Sequence, residues 1–210
     1  MKIVKQSIKE QTYEIIKQKI LSQEYSFGDP VTISSLSEEL GVSNTPIREA
    51  LSRLESEGLV TSSYSSQVRV IDISEELIEE TDMAVLSLLL GGYDICCLRE
   101  CSGELLSLLQ EACDKQCRDI NKHDDQQFIK DAIAFDKCFL LATGNTKIIS
   151  LFDSLAPILY MLTMYNYQQN NVNKEVNLKE HEQILEAIRT GSKEKVRKYL
   201  LHHYDKHLSK

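Results

Sequence analysis

The stretch GVSNTPIREALSRLESEG, residues 41–58, gathers hydrogen-bonding groups at one point: Ser43, Asn44 and Thr45 in a row, with Arg48 three residues on. Two hydroxyls, an amide that can make paired hydrogen bonds and a guanidinium suit the edge of a nucleic-acid base or a phosphate. Their place on the chain strengthens that reading. Pro46 is harmless in the first turn of a helix, where its missing N–H has no intrahelical partner, and Ser43 or Thr45 can cap the start. The four residues then stand at a helix N-terminus, where backbone N–H groups and the positive end of the helix dipole also attract anions.

Other reactive side chains have weaker settings. Cys97 and Cys101 are spaced i,i+4, as are Cys113 and Cys117, so each pair can face one way on its own helix. A joint four-thiol cluster fails on distance: if the chain reverses near Ser102 and Gly103, residue 117 lies roughly 20 Å along the next helix at ~1.5 Å per residue. The thiols read instead as small buried hydrophobes of a reducing compartment. The segment GGYDICC has neither the glycine spacing of a phosphate loop nor a strand before it. No local context singles out a catalytic nucleophile, so no enzyme is expected.

The elements around the first cluster form a recognisable order. Ile8, Tyr13, Ile16 and Ile20 mark one stripe of an amphipathic helix that ends before YSFGDP. In VTISSLSEELGVS, Ser34 or Ser35 caps a short helix with Glu38 or Glu39 in its first turn, and Gly41 supplies the left-handed residue that ends it. The helix carrying Arg48 follows, burying Ile47, Ala50, Leu51 and Leu54 and closing at Gly58. Two β-prone runs in LVTSSYSSQVRVID then meet at a polar turn near Tyr64, Ser65 and Ser66. Helix, helix-turn-helix, then a wing is the expectation, with the second helix of the motif laid in the DNA major groove.

From Ser74 onward the pattern is helical throughout: about 75–98, 103–120, 124–143, 146–168, 175–190 and 192–208. The fold class expected is mainly α: a winged helix-turn-helix with a small β-hairpin wing over residues 1–71, then an all-α bundle of about six helices over 72–210. Charge divides the same way. Residues 1–70 carry 8 Lys and Arg against 9 Asp and Glu, and residues 71–210 carry 16 against 23, within a net charge of −8. An acidic body leaves nucleic-acid binding to local clustering in the head. The longest apolar run, MAVLSLLLGGY, is broken by Ser and two Gly and falls short of the roughly 20 residues of a membrane span. With no signal peptide at the start, the chain is expected in the cytoplasm, with no membrane partner.

These residues resemble a known family. ELGVSNTPIREALSRLESEGLV, with IKQKILSQEYSFGDPV before it, is similar to the winged-helix head of the GntR family of bacterial transcriptional regulators. By that resemblance Ser43, Asn44, Thr45 and Arg48 fall on the family's DNA-contacting positions, and Tyr64 and Ser65 stand at the wing tip, Ser65 where a glycine is usual. Ser34 stands where many members have Arg. The second half resembles the all-helical effector domain of the FadR-type branch, through AFDKCFLLATGN and EHEQILEAIRTGSKEKVRKYLLHH. Many members of that branch bind a divalent metal through an Asp, a His four residues on, and two His from the final helices. The resemblance puts His181 and His203 on two ligand positions, Asp136 in place of the first His and Ala132 in place of the Asp, with Asp131 one residue out of phase. Asp136, His181 and His203 then form a three-ligand set for a divalent metal such as zinc or nickel.

The function implied is a DNA-binding transcriptional regulator, a homodimer on a pseudo-palindromic double-stranded operator. A small-molecule effector in the helical domain, of carboxylate type by the branch's habit, controls operator affinity, and repression relieved by effector is the expected sign. The alternative is a metal- or thiol-responsive regulator with no organic effector.

Overall fold

The computed structural model describes residues 7–62, 67–122, 124–169 and 173–204. The chain divides into two units, Met1–Ile73 and Ser74–Lys210. The first opens with α1, Ile8–Leu21, capped by Ser7, whose side chain accepts from the Glu10 N–H. Its buried face is Thr12, Tyr13, Ile16 and Ile20, packed on α3. Ile8, expected in that stripe, is 64% exposed because it begins the first turn, and Thr12 takes its place, donating to the Ile8 carbonyl at 2.7 Å.

The short helix α2, Ile33–Leu40, starts two or three residues earlier than the expected capping residues implied. Thr32 occupies the cap position, so Ser34 and Ser35 lie inside the helix and Glu38 and Glu39 beyond its first turn. Gly41 ends it at φ 63°, as the left-handed position requires. Helix α3, Asn44–Ser56, buries Ile47, Ala50, Leu51 and Leu54. The wing strands β2, Val60–Ser62, and β3, Val68–Val70, pair antiparallel with Val60 opposite Val70. A two-residue strand β1, Pro30–Val31, adds to the far edge of β3 and makes the sheet three-stranded in the order β1-β3-β2. Sequence pattern missed β1, since two residues have no readable alternation. The turn carrying Tyr64 and Ser65 lies outside the described residues.

Six helices make up the described part of the second unit: α4, Glu75–Leu98; α5, Ser102–Asp119; α6, Asp125–Leu141; α7, Thr146–Gln168; α8, Lys174–Arg189; and α9, Lys193–Tyr204. Side-chain caps fix five of their starts, at Ser74, Asp124, Asn145, Asn173 and Ser192. Ser102 and Gly103, read as a break, are the first turn of α5, and the chain reverses instead at Arg99–Cys101, where Glu100 has φ 57°. Phe135, Phe139 and Phe152 fill the core with Leu89, Leu105, Leu109 and Ile184.

Gly91 and Gly92 do not interrupt α4, which corrects the expectation that no segment is long and apolar enough to span a membrane. By length and composition two helices are: α4, with mean hydropathy 1.4, and α7, with 1.5. Both contribute to the bundle core, α4 through Val85, Leu89 and Cys96 and α7 through Phe152 and Leu159, which accounts for their apolar character. Gly92 packs closely on α6: a β-carbon there would lie 2.7 Å from the Phe139 carbonyl oxygen. Gly91 faces open space.

The two glycines therefore predict opposite outcomes in urea unfolding. Gly92→Ala should destabilise the second unit by about 1–3 kcal/mol through overpacking, while Gly91→Ala should stabilise it by about 0.5–1 kcal/mol through helix propensity.

Candidate functional site

In the first unit, α3 presents Ser43, Asn44, Thr45 and Arg48 together on an exposed surface. Ser43 occupies the N-cap position with extended backbone, φ −66° and ψ 165°, yet its side chain makes no capping hydrogen bond and Thr45 supplies none in its place. That differs from the sequence expectation of a capped start. The physical consequence is that the hydroxyls and the first N–H groups of the helix stay exposed at its positive end. Arg53, one and a half turns further on, is an anchor rather than a contact residue. Its guanidinium lies 3.6 Å from the Tyr13 ring centroid and pairs with Glu10. Tyr13 in turn donates to Glu57 at 2.6 Å, and Lys17 pairs with the same carboxylate at 2.7 Å. This cluster ties α1 to the end of α3 and fixes the helix that carries Arg48.

In the second unit, α6, α8 and α9 bring Asp136, His181 and His203 together, one ligand atom from each lying within 4.8 Å of the others. Phe135 stacks on the His181 ring, centroids 4.0 Å apart and planes 6° from parallel, and so fixes its plane. Gln116 on α5 sets the rotation of the ring within that plane. Its Nε2 donates to Asn177 Oδ1 at 3.4 Å, which turns Oε1 toward His181 Nδ1 at 2.6 Å. His181 Nδ1 must then carry the proton, leaving a lone pair on Nε2. Glu180 acts likewise on the other ring, its carboxylate 2.7 Å from His203 Nδ1. The two Nε2 atoms face one another at 3.4 Å.

With both rings neutral, two acceptor lone pairs so placed repel, and either a proton on one Nε2 or a metal ion between them relieves the repulsion. A tetrahedral zinc ion, with Zn–N bonds of roughly 2.0–2.1 Å, holds two nitrogens roughly 3.3 Å apart, close to the separation seen. Asp136 completes the donor set. Tyr204 donates to its Oδ2 at 2.7 Å, while Oδ1 is buried with no hydrogen-bond partner. Burial pushes the Asp136 carboxyl up to about 6, against the opposing pull of His203 and the Tyr204 hydroxyl. The residues thus fit a divalent ion: nitrogen and oxygen donors, ring tautomers set by outer partners, and an orphaned carboxylate oxygen.

Asp131, considered from sequence as a displaced ligand, does not join the set. It is buried against Lys115 at 2.7 Å and accepts from Gln127 at 2.7 Å. Ala132 instead lines a cavity of about 80 Å³ shared by Asp136, His203, Asp82, Thr163 and Asn166. Sequence reasoning missed Gln116, Glu180 and Tyr204; the last two stand beside the histidines in sequence, but nothing local marks Gln116, 65 residues from its partner. Cys96, Cys113 and Cys138 are buried and make no thiol cluster among the described residues. Burial raises their thiols, to about 12 for Cys96 and Cys138 and about 11 for Cys113, so they stay protonated and inert.

An exposed uncapped helix start in a three-stranded winged head, with a six-helix unit enclosing an Asp-His-His set, is the layout of a ligand-controlled DNA-binding regulator. The comparisons agree. Residues 8–70 match the family described as bacterial regulatory proteins, gntR family, and residues 96–206 match the FCD domain. The chain belongs to the GntR family of transcriptional regulators and carries an FCD domain of the FadR type. It is 22% identical over 196 residues to an uncharacterized HTH-type transcriptional regulator, YdhC, of Bacillus subtilis (strain 168), covering 93% of this chain and 87% of that one. Its fold is similar to that of a putative transcriptional regulator GntR from Rhodococcus sp. RHA1, at TM-score 0.78, 18% identity and 95% of each chain. It is also similar to E. coli McbR/YncC, at TM-score 0.72 and 21% identity, with 98% of this chain and 97% of that one covered.

The purified full chain is expected to carry near-stoichiometric zinc or nickel by mass spectrometry, and His203→Ala to lose it. Since Asp136 and both rings bind metal only when deprotonated, zinc affinity should fall by more than about tenfold between pH 7.5 and pH 5.5. Affinity independent of pH would remove Asp136 and the histidines from the ligand set.

Proposed function

We propose that the chain is a cytoplasmic repressor, acting as a homodimer on a pseudo-palindromic operator, whose DNA affinity is set by a small effector bound in the cavity of the second unit. The observation that carries the DNA-binding half is the exposed, uncapped N-terminus of α3. Ser43, Asn44 and Thr45 offer hydroxyls, an amide and backbone N–H groups to phosphate or base edges, and Arg48, one turn in, reaches a guanine edge or a phosphate. Tyr64 and Ser65, which lie between β2 and β3 in the sequence, are assigned to the DNA contact as well. A single small head makes few phosphate contacts and binds weakly at cellular salt, and two linked heads gain through effective concentration.

The effector half rests on the cavity beside Asp136 and His203. The three donors would hold a divalent ion, which when bound offers open positions to a carboxylate oxygen. Gln116 and Glu180 keep the two imidazoles in the ligating tautomer, and Tyr204 holds the carboxylate of Asp136 in place. An effector shifts the DNA affinity only as far as it binds one arrangement of the paired heads better than another. The donor set also supports a second reading, in which the metal is itself the signal. In that case chelation alone, with no metabolite, changes operator affinity. A thiol signal would fall on Cys97 and Cys101, which are half-buried, or on the exposed Cys117, since Cys96, Cys113 and Cys138 are buried.

Arg48→Ala tests the DNA half. In fluorescence anisotropy with the operator, affinity should fall by more than about 1 kcal/mol with the circular dichroism spectrum unchanged. Arg53→Ala should instead lower the stability of the head, by loss of its stacking on Tyr13. Unchanged affinity in Arg48→Ala would overturn the assignment of α3.

A further inference from the structure

His181 and His203 are held by partners of different kinds. Glu180, a carboxylate, can only accept, so His203 keeps its proton on the Nδ1 beside it at 2.7 Å and its lone pair on Nε2. Gln116 is an amide, which has a donor at one end and an acceptor at the other. Its Oε1 lies 2.6 Å from His181 Nδ1 and its Nε2 donates to Asn177 Oδ1 at 3.4 Å, the arrangement that leaves the His181 lone pair on Nε2. Turning both amides by half a turn reverses every donor and acceptor and breaks no pairing. Asn177 Nδ2 then donates to Gln116 Oε1, Gln116 Nε2 donates to His181 Nδ1, and the ring carries its proton on Nε2. That proton points at His203 Nε2, 3.4 Å away, and puts a hydrogen bond where two lone pairs met. One proton leaves Nδ1 and one arrives at Nε2, so the ring is neutral in both arrangements.

Asn177 is also where this chain of amides meets the cavity. It is 8% exposed and lines the same space as Asp136 and His203. With Oδ1 turned to Gln116, its N–H2 is the end left for the cavity; in the reversed arrangement the carbonyl takes that place. The other polar groups on the walls stand outside the relay. Thr163 gives its proton to the Leu159 carbonyl at 2.8 Å, Asp82 has a partner of its own, and Asn166, whose Oδ1 is buried with no hydrogen-bond partner, lies on α7.

We infer that Asn177 reads the effector and that what it reads is set at the metal site. With a metal on Nε2, His181 keeps its proton on Nδ1, Gln116 turns Oε1 to that proton, and Asn177 turns its N–H2 to the cavity. The loaded protein therefore selects an effector with a hydrogen-bond acceptor, a carbonyl or carboxylate oxygen, at that point. Coupling of this kind is reciprocal: an effector that engages the N–H2 of Asn177 also favours the ring tautomer that binds metal. The effector half rests on the proposal that this cavity is the effector site, and the relay itself does not.

The test uses the full chain with and without zinc. Nitrogen-15 NMR of the histidine rings should find His181 protonated on Nε2 in the zinc-free protein and on Nδ1 once zinc is added, with His203 on Nδ1 throughout. In Asn177→Asp the new carboxylate can only accept, which holds Gln116 in the loaded orientation. That variant should keep His181 on Nδ1 even without zinc, and should bind zinc at least about threefold more tightly than wild type in competition with a chromophoric chelator, because no reversal precedes binding. For the cavity the probes are 3-oxobutanoate, whose ketone only accepts, and 3-methylbutanoate, its apolar counterpart of equal size and charge. Zinc-loaded wild type should bind the ketone acid at least about tenfold more tightly in calorimetry, and Asn177→Asp should erase that preference. The same His181 tautomer with and without zinc, or a zinc-free Asn177→Asp with the proton on Nε2, would overturn the relay. Equal binding of the two probes by wild type would overturn Asn177 as the reading residue yet leave the cavity as the effector site. Binding of neither probe, with the relay observed, would overturn the effector half alone.

Discussion

The second unit is organised around two imidazole nitrogens, His181 Nε2 and His203 Nε2, held 3.4 Å apart with their lone pairs toward each other. With both rings neutral and protonated on Nδ1 the contact is repulsive; a proton on one Nε2 or a metal ion between the two makes it attractive. The rings are oriented from outside by Gln116 and Glu180, which accept hydrogen bonds from the Nδ1–H groups, and by Phe135, which fixes the plane of one ring. Four of the six helices are committed to it: α5 supplies Gln116, α6 supplies Phe135 and Asp136, α8 supplies Glu180 and His181, and α9 supplies His203 and Tyr204. Asp136, buried with one oxygen bonded and the other orphaned, adds a charge that burial disfavours. A cation at this point relieves the lone-pair repulsion, the orphaned oxygen and the buried charge together.

The head meets a different requirement, that of holding polar groups outward without folding them onto the protein. Asn, Ser and Thr at a helix start ordinarily bond back to the chain. Here Ser43 has the backbone of a cap and none of its hydrogen bond, so the end of α3 remains available to an external partner. The two arginines of α3 divide the work. Arg53 is consumed by Tyr13, Glu10 and Glu57, and this anchors the helix against α1, while Arg48, a turn from the helix start, is exposed. The clustering of groups on one face, within a head of nearly balanced charge, is how an acidic protein keeps a surface for an anionic partner.

The parts legible in the sequence were those set by short-range repetition. The stripe Ile47, Ala50, Leu51 and Leu54 specified α3, Gly41 specified the turn before it, and apolar spacing gave the six helices of the second unit to within a few residues. Distant pairings were not legible. Strand β1 is two residues long and pairs along the edge of β3; Gln116 reaches His181 across 65 residues; and residue 92 must be glycine because α6 passes close enough that no side chain fits. The family resemblance brought His181, His203 and Asp136 to attention together, yet it offered nothing on Gln116, which holds the His181 ring from α5.

The most direct test of the account is X-ray absorption at the zinc edge on the zinc-loaded full chain. The account predicts a first shell of two imidazole nitrogens with carboxylate and water oxygens at roughly 2.0–2.2 Å, and the loss of one imidazole in His181→Ala. A shell containing sulfur, or one with no imidazole scattering, would contradict it, because the paired lone pairs of His181 and His203 would then be held together by something other than the metal.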